Sequence, residues 1–276
     1  MTLRGCMPNT DRARRARVGW VVDVQNDFML PAAPGGRLYV HDLGDSSEPG
    51  AQRIVGVLAR VVEWMHASCD AVVYTGDWHK AGDAEIDAVS PDPAKGTYPP
   101  HCMGASPDPV LAAGAALIVE LAPAATATLT RDASNADAKR VVGEAFASHK
   151  PIFIQKSRFS VFEGNSAAAA LVRAMVDQLR KGGADDVEFV VCGVATDVCV
   201  KAAVEGLLDY GAVTVVGDAV AGLGLEPDDA LFAKWAALGA HITDSAGCTV
   251  AADVAARRRV TSVISGAAPS RKGTPQ

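Results

Sequence analysis

Apolar residues along this chain fall into two alternating patterns: short unbroken runs, and longer stretches repeating every three to four positions. Residues 17–24 (R-V-G-W-V-V-D-V) form a run of the first kind and predict a buried strand. Over 50–66, Ile54, Val57, Leu58, Val61, Val62 and Met65 recur at helical spacing. Further strands are predicted over 71–75, 126–129, 151–155, 187–192, 213–216 and 241–243, with a short one over 117–119. Helices are predicted over 137–149, over 166–180 with Leu171, Met175 and Leu179 on one stripe, from about 197 to 210, and over 227–238. Strands alternating with amphipathic helices mean an α/β fold, with a largely parallel sheet covered on both faces and right-handed crossovers. Residues 80–109 break the rhythm. They are polar and carry Pro91, Pro93, Pro99, Pro100, Pro107 and Pro109, and so long a loop inside a domain is usually functional or disordered.

Composition narrows the picture. The chain has 276 residues, 49% of them hydrophobic, which suits a single α/β domain, expected over 17–255. The segments 1–16 and 256–276 read as flexible tails. A net charge of −6 gives no basic field for nucleic acid. No apolar run reaches the roughly eighteen residues of a membrane span. The basic N-terminus lacks the apolar core of a secretory signal. Six scattered cysteines without a C-x-x-C pair read as reduced thiols in a cytoplasmic protein.

Chemistry enters at the strand ends. In an open α/β sheet, sites gather beyond the C-terminal ends of the strands. Asp23 closes the first strand, Asp77 and His79 follow the second, Lys156 closes a middle strand and Cys199 follows the next. Singly, Asp23 reads equally well as a turn cap and Lys156 as a solvated strand end; their coincidence at one edge favours function. A thiol at a strand-to-helix junction meets free N–H groups and a positive helix end, both favouring thiolate. Asp23 can take the thiol proton, and Lys156 can stabilise the thiolate. Asp77 and His79, two apart on extended backbone, point the same way. With His101 returning from the proline-rich loop, they make a reasonable ligand set for Zn²⁺, Mn²⁺ or Fe²⁺ with positions left open.

Five motifs in this order resemble those of nicotinamidases, within the isochorismatase-like cysteine hydrolases. They are Asp-x-Gln-Asn-Asp-Phe at 23–28, Thr-Gly-Asp-Trp-His at 75–79, Pro-Pro-His-Cys at 99–102, Lys156, and Gly-Val-Ala-Thr-Asp-Val-Cys-Val at 193–200. The resemblance spans roughly residues 18–245. It implies a three-layer αβα fold around a six-stranded parallel sheet, a catalytic triad of Asp23, Lys156 and Cys199, and a cis peptide at Val194–Ala195. The N–H groups of Ala195 and Cys199 would form an oxyanion hole. Asp77, His79 and His101 would hold the metal, with Phe28, Trp78 and Val194 around the substrate. The implied activity is hydrolysis of a small-molecule amide, nicotinamide before carbamoyl or ureido compounds, within NAD salvage and in a homo-oligomer. The family's further histidine after Asp-x-His is missing, so either Glu85 supplies an oxygen or Ala84 stands there and water completes the shell. Arg158, after Lys156, offers a carboxylate-recognising group near the pocket mouth. Two other readings remain: a metal-hydroxide hydrolase with a structural Cys199, and a non-catalytic binding protein on the same fold.

Overall fold

The computed structural model describes residues 13–31, 36–45 and 47–248. The tail expected over 256–276 and most of the leader expected over 1–16 lie outside them. The first strand begins inside that leader, at Arg15, because Ala16 already packs into the core.

Seven strands form one parallel sheet: β1 (Arg15–Val22), β2 (Ala71–Asp77), β3 (Ala127–Leu129), β4 (Ile152–Lys156), β5 (Asp186–Val194), β6 (Ala212–Ala221) and β7 (His241–Thr243), in the order β3-β4-β2-β1-β5-β6-β7. The resemblance implied six strands. Three-residue strands, β3 and β7, finish both edges, and so short an edge offers little backbone to another chain. The 117–119 stretch does not join the sheet. It makes only an isolated antiparallel bridge between Gln25 and Leu117, and Val119 is exposed.

The helices are α1 (Asn26–Met29), α2 (Val55–Ser68), α3 (Pro109–Ala112), α4 (Asn135–Ser148), α5 (Val161–Gly164), α6 (Ala168–Lys181), α7 (Lys201–Leu207) and α8 (Asp228–Ala237). Alternation along β1 sends Val18, Trp20 and Val22 to one face, against residues of α4, α6, α7 and α8. Val21 faces the other way, toward residues of α1 and α2. This is the expected three-layer α/β arrangement. On α6, Leu171, Val172, Met175, Val176 and Leu179 are all buried, each contributing on the order of 1.5–3 kcal/mol. Ser134 and Asp137 form a capping box at the start of α4, and His149 ends it in the left-handed region at φ 52°.

The connections place the site. From β1 the chain moves outward on one side to β2 and β4, then returns to add β5 on the other side of β1. That reversal opens a crevice at the C-terminal ends of β1, β2, β4 and β5. Asp77 and Lys156 are register partners there, and so are Val22 and Gly193.

Candidate active site

Asp23 follows β1 directly, with φ 50° in the left-handed region, which an Asp tolerates better than most residues. Its Oδ1 accepts a hydrogen bond from Thr75 Oγ1 at 2.7 Å. Lys156, the last residue of β4, lies one strand beyond β2 and sends its side chain back across it. Its Nζ is 2.8 Å from Asp23 Oδ2, touches Asp77 Oδ1 and lies 3.7 Å from Cys199 Sγ. Lys156, Asp23 and Asp77 are at most 2% exposed. The sequence placed these residues at one edge of the sheet; the pairing of β2 with β4 sets Asp77 beside Lys156.

Cys199 reaches this cluster through an unusual turn. Gly193 sits at φ 123°, and a Cβ there would lie 2.1 Å from Val22 O. The Val194–Ala195 peptide is cis. A wide turn follows over Thr196–Val200, with Val200 N–H donating to Ala195 O five residues back. Asp197 fixes this turn to the loop after β6, accepting from Leu223 N at 3.0 Å and Leu225 N at 2.8 Å.

The 23–28 motif builds much of the surroundings. Buried Gln25 clamps the main chain of Asp77, accepting from its N–H at 2.7 Å and donating to its C=O at 2.8 Å. Buried Asp27 accepts from Cys102 N at 2.7 Å and Arg37 N at 3.1 Å, so it anchors the loop that carries His101. Phe28 lines the pocket above Cys199 together with Val194, Ala195 and His101.

Several pocket walls were not singled out from the sequence, among them Tyr98, Phe159 and Leu223. Tyr98 meets His101 edge-on at 6.1 Å and Phe159 at 5.8 Å. Its signal was its place directly before Pro99-Pro100. Trp78, expected beside the substrate, is not among the lining residues. Its indole packs edge-on against Phe153 and over Gly104, where a Cβ would meet it at 2.3 Å.

Asp77, His79 and His101 are all buried and present donor atoms within 4.8 Å of one another. Asp77 Oδ2 is 3.7 Å from His79 Nε2 and 3.8 Å from His101 Nε2. His101 Nδ1 pairs with Pro99 O at 2.8 Å, which leaves Nε2 as its donor. Glu85 joins them: it is 4% exposed, with Oε2 4.0 Å from His79 Nε2. His79 Nε2 and Glu85 Oε2 are both buried without a hydrogen-bond partner among the described residues. Two carboxylates and two imidazoles, with unpartnered atoms converging, fit a divalent cation.

The charges are strongly interdependent. Burial raises the Asp23 carboxyl; Lys156 draws it back and Asp77 pushes it further up. Burial opposes ionisation of Asp77, but Lys156 with the two histidines holds it well below the ordinary carboxylate range. Burial also disfavours the Lys156 ammonium, yet Asp23 and Asp77 keep its pKa well above the usual lysine value. Glu85 is pushed up to about 7 by burial and by Asp77. For Cys199 the expectation of a ready thiolate is revised. Burial pushes the thiol well above its ordinary value, and Asp23 and Asp77 add to this against the pull of Lys156. The sulfur lies 3.7 Å from Lys156 Nζ, which in turn pairs with the Asp23 carboxyl.

A model of the isochorismatase domain matches residues 20–247, so this chain belongs to the isochorismatase family of hydrolases. It is similar to the nicotinamidase of Escherichia coli (strain K12), with 28% identity over 235 residues, covering 80% of this chain and 92% of that protein. Among solved structures it resembles an isochorismatase-like hydrolase from Alkaliphilus metalliredigens, at 20% identity and TM-score 0.56, over 86% of this chain and 98% of that one. It also resembles the pyrazinamidase of Pyrococcus horikoshii in complex with zinc, at 24% identity and TM-score 0.52, over 83% and 98%. At such identities the structural likeness speaks for the fold. No helix among the described residues is long and apolar enough to cross a membrane.

Proposed function

We propose that this protein hydrolyses the carboxamide of a small molecule, nicotinamide in the first place, to the acid and ammonia through a thioester on Cys199. One observation carries the reading: a single ammonium, Lys156 Nζ, lies 2.8 Å from Asp23 and 3.7 Å from the Cys199 sulfur beneath an aromatic-walled pocket. The similarity to a nicotinamidase supports the substrate.

Asp23 takes the thiol proton as the sulfur bonds to the amide carbon. Lys156 keeps the sulfur's charge from facing Asp23 and Asp77 alone. The N–H groups of Ala195 and Cys199 receive the oxyanion, and such donors commonly contribute about 10²–10³-fold each. Asp23 returns the proton to the nitrogen, the C–N bond breaks and ammonia leaves. Asp23 then deprotonates a water that attacks the thioester; the C–S bond breaks, the acid leaves and the sulfur regains a proton. Phe28 and Tyr98 would flank a planar ring. Zinc, or iron or manganese, held by Asp77, His79 and His101 with Glu85 as a further oxygen donor, would supply a Lewis acid that orients a ring nitrogen.

The test is ammonia release from nicotinamide. Cys199→Ala is expected to lose at least about 10³-fold in kcat/KM; a variant as active as wild type would sink the thiol chemistry. A carbamoyl or ureido substrate with a carboxylate is the second reading. Arg158 favours it, being half-exposed and next to the wall residue Phe159, although its guanidinium already lies 3.9 Å from Glu85. A panel of small amides assayed in parallel separates the two.

A further inference from the structure

The imidazole of His79 has two nitrogens with different company. Nε2 faces Asp77 and Glu85 and has no hydrogen-bond partner among the described residues. Nδ1 lies 3.3 Å from Oδ2 of Asp83, a carboxylate outside the proposed ligand set. Asp83 itself accepts three further hydrogen bonds, from two residues. Lys80 N–H donates to its Oδ2 at 3.0 Å, while Arg131 grips both oxygens, Nη1 to Oδ2 at 2.5 Å and Nη2 to Oδ1 at 3.0 Å. Arg131 Nη1 also donates to the main-chain oxygen of Trp78, the residue between Asp77 and His79, at 2.7 Å.

The clamp comes from far along the chain, and its base is fixed. Arg131 follows β3, and its N–H donates to Gln155 Oε1 of β4 at 3.3 Å. Asn165 Nδ2 ties Thr130 O and Gln155 O together at 3.0 and 2.8 Å. The ion pair is largely out of water, with side chains 12% and 9% exposed. Desolvating such a pair offsets much of its attraction, so its stabilising value alone is a weak reason for it. A bidentate fork does fix geometry, however. A carboxylate on the far nitrogen of a ligating histidine sets the tautomer, orients the ring and makes the near nitrogen a better donor.

We propose that Arg131 and Asp83 are positioning residues of a divalent-cation centre. Asp83 holds a proton on His79 Nδ1 so that Nε2 presents its lone pair, and Arg131 locks both Asp83 and the Trp78 carbonyl. This rests on the reading of Asp77, His79 and His101 as a cation site, and it adds the means by which His79 is prepared for it.

The test is equilibrium competition for Zn²⁺ between the full-length protein, stripped of metal, and a chromophoric chelator. Asp83→Ala and Arg131→Gln are expected to bind about 10–100-fold more weakly than wild type. Asp83→Asn, which still accepts from Nδ1, should recover part of the loss, as should Arg131→Lys. The visible spectrum of the Co²⁺ form should shift in Asp83→Ala, which a purely structural role would not cause. Thermal unfolding of the metal-free forms checks folding, and Asp83→Ala carries the test if Arg131→Gln does not fold. Folded Asp83→Ala or Arg131→Gln protein that binds Zn²⁺ within twofold of wild type overturns this inference and leaves the cation site standing. Wild-type protein that binds no Zn²⁺ overturns both.

Discussion

At the floor of the pocket Lys156 touches two carboxylates and approaches a thiol, all buried. Replacing it by Met keeps the length and removes the charge. Asp23 and Asp77 would then face each other without a cation, a loss on the order of 3–5 kcal/mol when one partner of a buried pair is taken away. The sign with pH follows. With the ammonium gone, burial and mutual repulsion raise the carboxylates above their ordinary values, so the folded state holds protons more tightly than the unfolded one. Stability is then retained at low pH and lost as pH rises through the raised pKa. Urea unfolding of Lys156→Met should show a large deficit against wild type at pH 8 and a smaller one at pH 5. A deficit that widens on acidification would contradict this account. The amide-hydrolysing activity should be lost throughout.

The same residues show what a sequence can and cannot reveal. Asp23, Asp77 and Lys156 were legible because each ends an apolar run, where a charge has few reasons to be. Trp78 was expected beside the substrate from the resemblance alone, although a rule already in use points it elsewhere. If Asp77 and His79 point one way on extended backbone, the residue between them points the other, and Trp78 does, toward Phe153. Tyr98 lay in a loop with no periodicity to read. Arg131 finds its partner 48 positions away, a distance over which spacing carries no information.

At the level of elements, the junction of β1 and β5 controls where the thiol sits. Val22 and Gly193 are register partners, Asp23 follows the first and the cis peptide the second. A methyl group on residue 193 would meet Val22 O at 2.1 Å, at a φ of 123° that side chains rarely adopt. Gly193→Ala should cost at least about 1–3 kcal/mol in urea unfolding and lower kcat more than it raises KM, because it displaces Asp23 and Cys199 relative to each other. Unchanged kcat in a folded variant would show the junction to be more forgiving. The central strands and the long helices were readable from period and length alone, since α6 and β5 bury a complete stripe or run. The turn over Thr196–Val200 was read as the start of a helix. Its extra residue comes from the wider hydrogen-bonded ring, which leaves no mark in apolar spacing.

For the whole molecule, the proposed cation site joins regions distant in sequence: the end of β2, Glu85, and the loop that Asp27 anchors at Cys102. A ligand that binds only the folded chain stabilises it by mass action, about 2.7 kcal/mol at a hundredfold excess over Kd. Zn²⁺ should therefore raise the Tm of the full chain, and His101→Ala should abolish the rise. An equal rise in that variant would place the binding elsewhere.

Asp77 has a further consequence. One of its oxygens meets Lys156 and the other faces the two histidines, so a single side chain belongs to both halves of the pocket. A lineage dispensing with the cation is free to shed His79 and His101 one at a time, each step leaving the ammonium its partner. Asp77 has no such freedom, since any replacement disturbs the charge beside the sulfur at the same moment. The aspartate is the common tenant of both arrangements, and it should be the last of the three to drift.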